Sequence, residues 1–237
     1  VEEAAIYDED CDWAYNLDGI DGGWLIANLN SVDAYRLGLQ YALSDAVMVG
    51  SNTVCAEGVS SDVRTGYVWQ PYQPFSWPSV ASIDAHVLEK ALEQRKLWQD
   101  LGYLSPSRRY PAQIIITNTG RRHDNSPDFL EGHVFTAKHP TGEPLEVYIL
   151  TTEIGAARVR ERAADFGLAD RIADMLIVLP SLPNQPERMD LTSLPSLLFQ
   201  RYEMKIVNHD GGQKVLLDFA RQKVLTQMNL TLGRKIN

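Results

Sequence analysis

Cysteine is almost absent: Cys11 and Cys55 are the two among 237 residues, with no C-x-x-C spacing. That argues against a disulfide scaffold and against a thiolate zinc site. Long apolar runs are also missing, since none approaches the roughly 20 residues of a membrane-spanning helix. No excess of basic charge exists either. The 22 Lys and Arg against 31 Asp and Glu leave a net charge of −9, a poor basis for general attraction to nucleic-acid phosphates. The opening VEEAAIYDEDCD is acidic where a secretory leader is basic and then apolar. No P-loop, G-x-S-x-G, H-E-x-x-H or G-x-G-x-x-G pattern occurs. The histidines (His86, His123, His133, His139 and His209) lie mostly in polar loops without ligand spacing and read as solvated residues. The expectation is a soluble cytoplasmic protein with no metal, no membrane and no nucleic-acid partner.

What is present is ordinary globular material, 44% hydrophobic and 22% charged, enough for one domain over residues 1–237. Strand-length apolar runs recur as DAVMVG (45–50), QIIITN (113–118), EVYILTT (146–152), MLIVLP (175–180), MKIVNH (204–209) and QMNLTLG (227–233). Most are continuous and β-branched, the pattern of strands covered on both faces. Helical patterns lie between them at 31–44, 156–167, 191–203 and 213–223, with Gly167 as a C-cap. Alternation of the two signals predicts an α/β fold, a central sheet with flanking helices. The stretch 66–103, first rich in Pro and aromatics and then helical, reads as an insertion: a lid, an oligomer contact or surface packing.

Two strand-to-helix junctions carry glycine. DAVMVGSNTV (45–54) leaves a buried strand at Gly50 and reaches Thr53 with no bulky residue between; HDGGQK (209–214) places Gly211-Gly212 before a helix. Such turns serve tight backbone geometry, or they let an anion approach the free amides of a helix start. Two of them at the carboxyl ends of strands fit the general ligand position of open α/β sheets.

These stretches, in this order, resemble the reductase domain of bacterial riboflavin-biosynthesis pyrimidine reductases, the RibD C-terminal type with a dihydrofolate reductase-like fold. AYNLDGI (14–20) is similar to the family's opening S-L-D-G-K-I strand. YALSDAVMVGSNTVCAEGVSSDVR (41–64) matches R-x-x-x-D-A-I-L-V-G-x-x-T-V-x-x-D-D-P-x-L-x-x-R in spacing; IVNHDGG stands where V-x-V-E-G-G is usual; VLTQMNLTLG looks like the final strand. The resemblance implies a mostly parallel sheet, NADPH as cofactor, a small-molecule substrate and a homodimer. It implies reduction of a ribosylamino-pyrimidinone phosphate to its ribityl form.

By the same resemblance Gly50, Ser51, Asn52 and Thr53 wrap the cofactor phosphates, and Gly211, Gly212 and Gln213 hold its pyrophosphate. Thr117 and Asn118 lie near the adenosine ribose. Asp18 and Glu57 border nicotinamide and substrate as the catalytic pair; Arg64 and Asp210 bind substrate. Arg121 and Arg122 are added on residue chemistry, as ligands of a 2′-phosphate or else as an exposed loop pair. Several positions depart from the family: Asn16, Ile20, Glu57, Gly58-Val59, Asp210 and Thr226-Gln227. The departures fall on the substrate side, which leaves open a different substrate, a pterin or dihydrofolate type among them. They also leave open a non-catalytic cofactor-binding or scaffold protein. A sugar- or nucleotide-phosphate enzyme using the glycine turns without nicotinamide is the third alternative.

Overall fold

Five of the apolar runs become neighbouring strands. The computed structural model describes residues 39–57, 85–121, 127–139, 142–209 and 213–227. Among these the strands are β1 (Ala46–Gly50), β2 (Ala112–Ile116), β3 (Val147–Thr152), β4 (Leu176–Leu179), β5 (Ser181–Leu182), β6 (Gln185–Met189) and β7 (Val207–His209). Strands β4-β3-β2-β1-β7 form one sheet in that order, every neighbouring pair parallel, and β5-β6 is a separate antiparallel hairpin. The α/β class and the parallel sheet are as expected. The expected strand at 227–233, the aromatic stretch 66–80 and residues 31–38 of the first expected helix lie outside the described residues.

The helices are α1 (Ser51–Glu57), α2 (Ala85–Asp100), α3 (Glu153–Ala163), α4 (Ile172–Met175), α5 (Leu194–Tyr202) and α6 (Gln213–Arg221). Thr152 caps α3 by accepting from the Gly155 N–H at 3.1 Å, and the chain leaves through a 3₁₀ turn to Gly167 at φ 68°.

Strand side chains alternate between two cores, as the period of 2 requires. Val47, Val49, Ile115, Val147, Ile149 and Leu176 pack with Val54, Phe129, Phe135, Ala156 and Val159 under α1, α3 and α4. Met48, Ile114, Ile116, Leu150, Ile177 and Leu179 pack with Met189, Leu194, Leu198 and Phe219 beneath the hairpin, α5 and α6. Each aliphatic chain buried this way contributes about 1.5–3 kcal/mol.

Polar ties bind the amino ends of the strands. Asp45, fully buried ahead of β1, accepts from Ser105 N–H at 2.8 Å through Oδ1, and through Oδ2 from Lys205 N–H at 2.8 Å and Ile206 N–H at 3.2 Å. Arg95 of α2, 1% exposed, donates to the carbonyls of Ala42 (2.8 Å), Ser44 (2.5 Å), Arg108 (2.9 Å) and Arg109 (3.0 Å). The helical half of the 66–103 stretch is thus part of the frame, not an appendage. A third cluster, Ala42, Ala91 and Tyr110 with Leu39 and Leu92, packs α2 beside the helical residues 39–42. Arg108 adds a bidentate pair to Glu146, both bonds 3.0 Å, and Glu146 also accepts from the Tyr148 hydroxyl at 2.7 Å.

Asp45→Asn keeps the shape but puts an N–H₂ where one carboxylate oxygen accepts, so it lowers stability by about 2–4 kcal/mol in urea unfolding. Lys223 holds φ 58°. Lys223→Gly relieves that left-handed strain and raises the unfolding midpoint, a gain of about 0.5–1 kcal/mol.

Candidate functional site at the carboxyl edge of the sheet

Strand order changes direction at β1. The chain steps outward through β2, β3 and β4, and then returns to place β7 on the other flank of β1. The register pairs Met48 with His209 and Gly50 with Ile116. Strands β1, β2 and β7 therefore end at the same edge of the sheet, with neighbouring strands about 4.8 Å apart. This is the topological switch point at which open parallel sheets hold ligands.

Gly50 is buried, Ser51 and Thr53 are half-buried and Asn52 is exposed. Among the described residues a methyl at Gly50 would meet only Thr53 Oγ1, at 3.9 Å, so these residues do not demand glycine there. Glu57 closes α1 and Gln213 opens α6. Asp18, Arg64, Arg122, Asp210, Gly211 and Gly212 lie outside the described residues. Between His209 and Gln213 the sequence supplies Asp210 and the glycine pair.

From Thr117 to Gly120 the loop after β2 is held at every residue. Thr117, 6% exposed, accepts the Gly120 N–H on Oγ1 at 3.1 Å. Asn118 Oδ1 accepts from Met189 N–H of β6 at 3.1 Å, and its carbonyl accepts from the Thr152 hydroxyl at 2.8 Å. The Thr119 carbonyl takes Arg158 at 3.1 Å, and the Gly120 carbonyl takes Arg162 at 2.6 Å. Gly120, at φ 59°, crosses the first turn of α3 at Gly155, where an added Cβ would lie 2.4 Å from the Gly155 carbonyl oxygen. The side chains of Thr117 and Asn118 thus have internal partners, and they shape the edge beside β1.

The hairpin folds over this edge and was not legible as strands, although Asn184 in LPNQP, at φ 61°, is a turn signal. It brings Glu187 to Arg121 (2.6 Å) and Arg158 (3.1 Å), both on Oε1. Arg188 pairs with Asp218 of α6, and Gln222 accepts from Leu191 N–H at 2.7 Å and donates to the Met189 carbonyl at 3.1 Å.

Two titratable groups near the edge are uncharged at neutral pH. Burial, then the Asp128 and Glu131 carboxylates, push the Cys55 thiol up to about 11, so it is no thiolate nucleophile. Burial holds the His209 imidazole down at about 4; its ring lies 4.9 Å from that of Phe219. Among the described residues no three His, Cys, Asp or Glu gather as metal ligands, and no helix is long and apolar enough to cross a membrane. No protein-family model matches the chain, and no curated protein matches it.

His209 generates a pH test. Its imidazole stays neutral in the fold but takes a proton in the unfolded chain below the ordinary value of 6.5. The stability it contributes is full above pH 6.5 and is lost as pH falls toward 4, by about 2–3 kcal/mol in all. His209→Phe removes that component, so the gap between variant and wild-type urea midpoints widens in the variant's favour from pH 7 to pH 4.

Proposed function

We propose that the chain is an NADPH-dependent reductase acting on a small pyrimidine-type substrate, with the dinucleotide diphosphate held at the β1/β7 switch point. One observation carries this reading: β1 and β7 are adjacent and parallel, so both glycine junctions of the sequence start from the same edge of the sheet. The room at Gly50, where among the described residues an added Cβ would meet only Thr53 Oγ1 at 3.9 Å, is the second support. The resemblance of YALSDAVMVGSNTV and IVNHDGG to the riboflavin-pathway reductases gives the cofactor and the reaction class.

When bound, the nicotinamide supplies a hydride from its C4. The chain's own work is placement. The backbone at Gly50–Thr53 and at 211–213 offers amide donors to an anionic diphosphate. Asp18 or Glu57 orients a water that delivers the proton to the reduced substrate, and Arg64 meets a substrate phosphate.

Isothermal titration with NADPH tests the reading: no binding at millimolar concentration overturns it. Binding without turnover of pyrimidine, pterin or simple carbonyl substrates favours a non-catalytic cofactor-binding module. Gly50→Ala separates site from scaffold. It leaves stability unchanged or raises it by up to about 1 kcal/mol, while NADPH affinity falls at least tenfold. A variant that binds NADPH like the wild type would remove Gly50 from the site.

A further inference from the structure

Six large apolar side chains stand exposed among the described residues, and three of them lie within seven positions at the end of α2. These are Leu97 (50% exposed), Leu101 (60%) and Tyr103 (59%). The other three, Ile154, Phe199 and Leu217, sit singly on α3, α5 and α6, as scattered surface apolars ordinarily do. The α2 group is contiguous. The Leu101 N–H bonds to the Leu97 carbonyl at 3.0 Å, which carries the helical spacing one turn on. Tyr103 folds back edge-on to Trp98, with ring centroids 5.8 Å apart. This face is not the one that holds the helix. Arg95, about 160° away from Leu97 round the helix, turns to the carbonyls of Ala42, Ser44, Arg108 and Arg109. One face of α2 is fixed to the frame, and the opposite face presents leucine to solvent.

The charges beside the leucines are ordered. Along the outer side run Lys90, Glu93, Lys96 and Asp100, paired within the helix as Lys90–Glu93 at 2.7 Å and Lys96–Asp100. From one end the row reads +, −, +, −, and from the other −, +, −, +. A second α2 laid antiparallel therefore meets each charge with its opposite: Lys90 with Asp100, and Glu93 with Lys96. All four side chains are more than half exposed. Exposed pairs at this spacing hold little, so trading them for pairs between chains costs little.

We infer that the outer face of α2 is a two-fold contact between copies of this chain, α2 against α2 antiparallel, with the Leu97 of each copy beside the axis. A contact in which residue i meets j, and j meets i, needs a surface complementary to itself, and the charge row has that property. Tyr103 and Leu101 supply aromatic and aliphatic anchors beside it. The helix belongs to the 66–103 stretch, which none of the motifs shared with the reductases covers. The contact is thus a feature of this chain's own sequence. Arg95 ties α2 to segments that precede β1 and β2, so the copies join at the amino edge, away from the candidate site. A 16-residue helix against its copy buries less than the roughly 800 Å² per partner of a standard interface. The dimer is accordingly weak and reversible, with a Kd on the order of 10 μM.

Sedimentation equilibrium of the full chain from about 1 to about 500 μM, a range that brackets such a Kd, tests this. Wild type is expected to pass from monomer to dimer, with a thermal midpoint that rises with concentration. Leu97→Asn is expected to weaken association at least about tenfold. Its circular dichroism and its thermal midpoint at the lowest concentration are expected to match wild type, because half of Leu97 is already in water. Glu93→Lys and Lys96→Glu each set like charges across the axis, so each alone is expected to stay monomeric. Mixed in equal amounts, the two variants complement each other and are expected to recover dimers.

A wild type that stays monomeric throughout overturns the inference and leaves the face to a different partner. Dimers that survive Leu97→Asn overturn it too, by placing self-association elsewhere on the chain. Assemblies larger than dimers overturn it because an isologous contact closes at two copies. Charge variants that remain monomeric when mixed overturn the antiparallel pairing, and the inference with it.

Discussion

The buried carboxylate of Asp45 is the constraint on which the rest of the sheet depends. A fully desolvated aspartate is tolerable only if its oxygens are met by donors, and here three backbone N–H groups meet them, from Ser105, Lys205 and Ile206. Those donors precede β2 and β7, the strands that flank β1. One side chain therefore sets the starting points of three neighbouring strands. Arg95 repeats the device with reversed polarity by gathering the carbonyls of Ala42, Ser44, Arg108 and Arg109. Both act at the amino edge, apart from the carboxyl edge, whose loops are fastened by bonds of their own.

That separation explains the character of the carboxyl edge. Its loops are fastened by main-chain and capping bonds: Thr117 to Gly120, Asn118 to Met189 and Thr152, Thr152 to Gly155. An added Cβ would lie 2.4 Å from the Gly155 carbonyl oxygen at Gly120 and 2.0 Å from Thr151 Oγ1 at Gly155, so no side chain fits at either without a shift. Rigid loops at a switch point suit a site in which the protein contributes position more than reactive groups. A thiol held up at about 11 and an imidazole held down at about 4 are consistent with such a division of labour.

The four strands β1 to β4 were legible because each is a short, continuous apolar run whose alternate residues both find a core, as with Val47 and Val49 against Met48. Gly167 was legible as a helix stop because a left-handed residue there needs no Cβ. The hairpin was hidden: PERM has no strand composition, and it pairs because β4 ends beneath it and Asn118 reaches its Met189 N–H. The role of α2 was hidden for a related reason. Six of its 16 residues are charged, and Arg95 looks like any solvated arginine until four carbonyls from distant segments close around it. Of the candidate site, Gly50 was legible as the end of a buried strand, whereas Glu187 and Arg158 carried no local signal, and the glycine pair lies outside the described residues.

Local chemistry, then, was enough to mark where strands stop and helices begin, since hydrophobic period, β-branching and glycine act over a few residues. Which strands become neighbours was decided only in three dimensions. The return of β7 to the flank of β1 is enforced by Asp45 through bonds spanning 160 and 161 residues. The meeting of Arg121, Arg158 and Glu187 likewise joins segments 29 to 66 residues apart. Such pairings depend on packing energies summed over the whole sheet, and no window of sequence contains them.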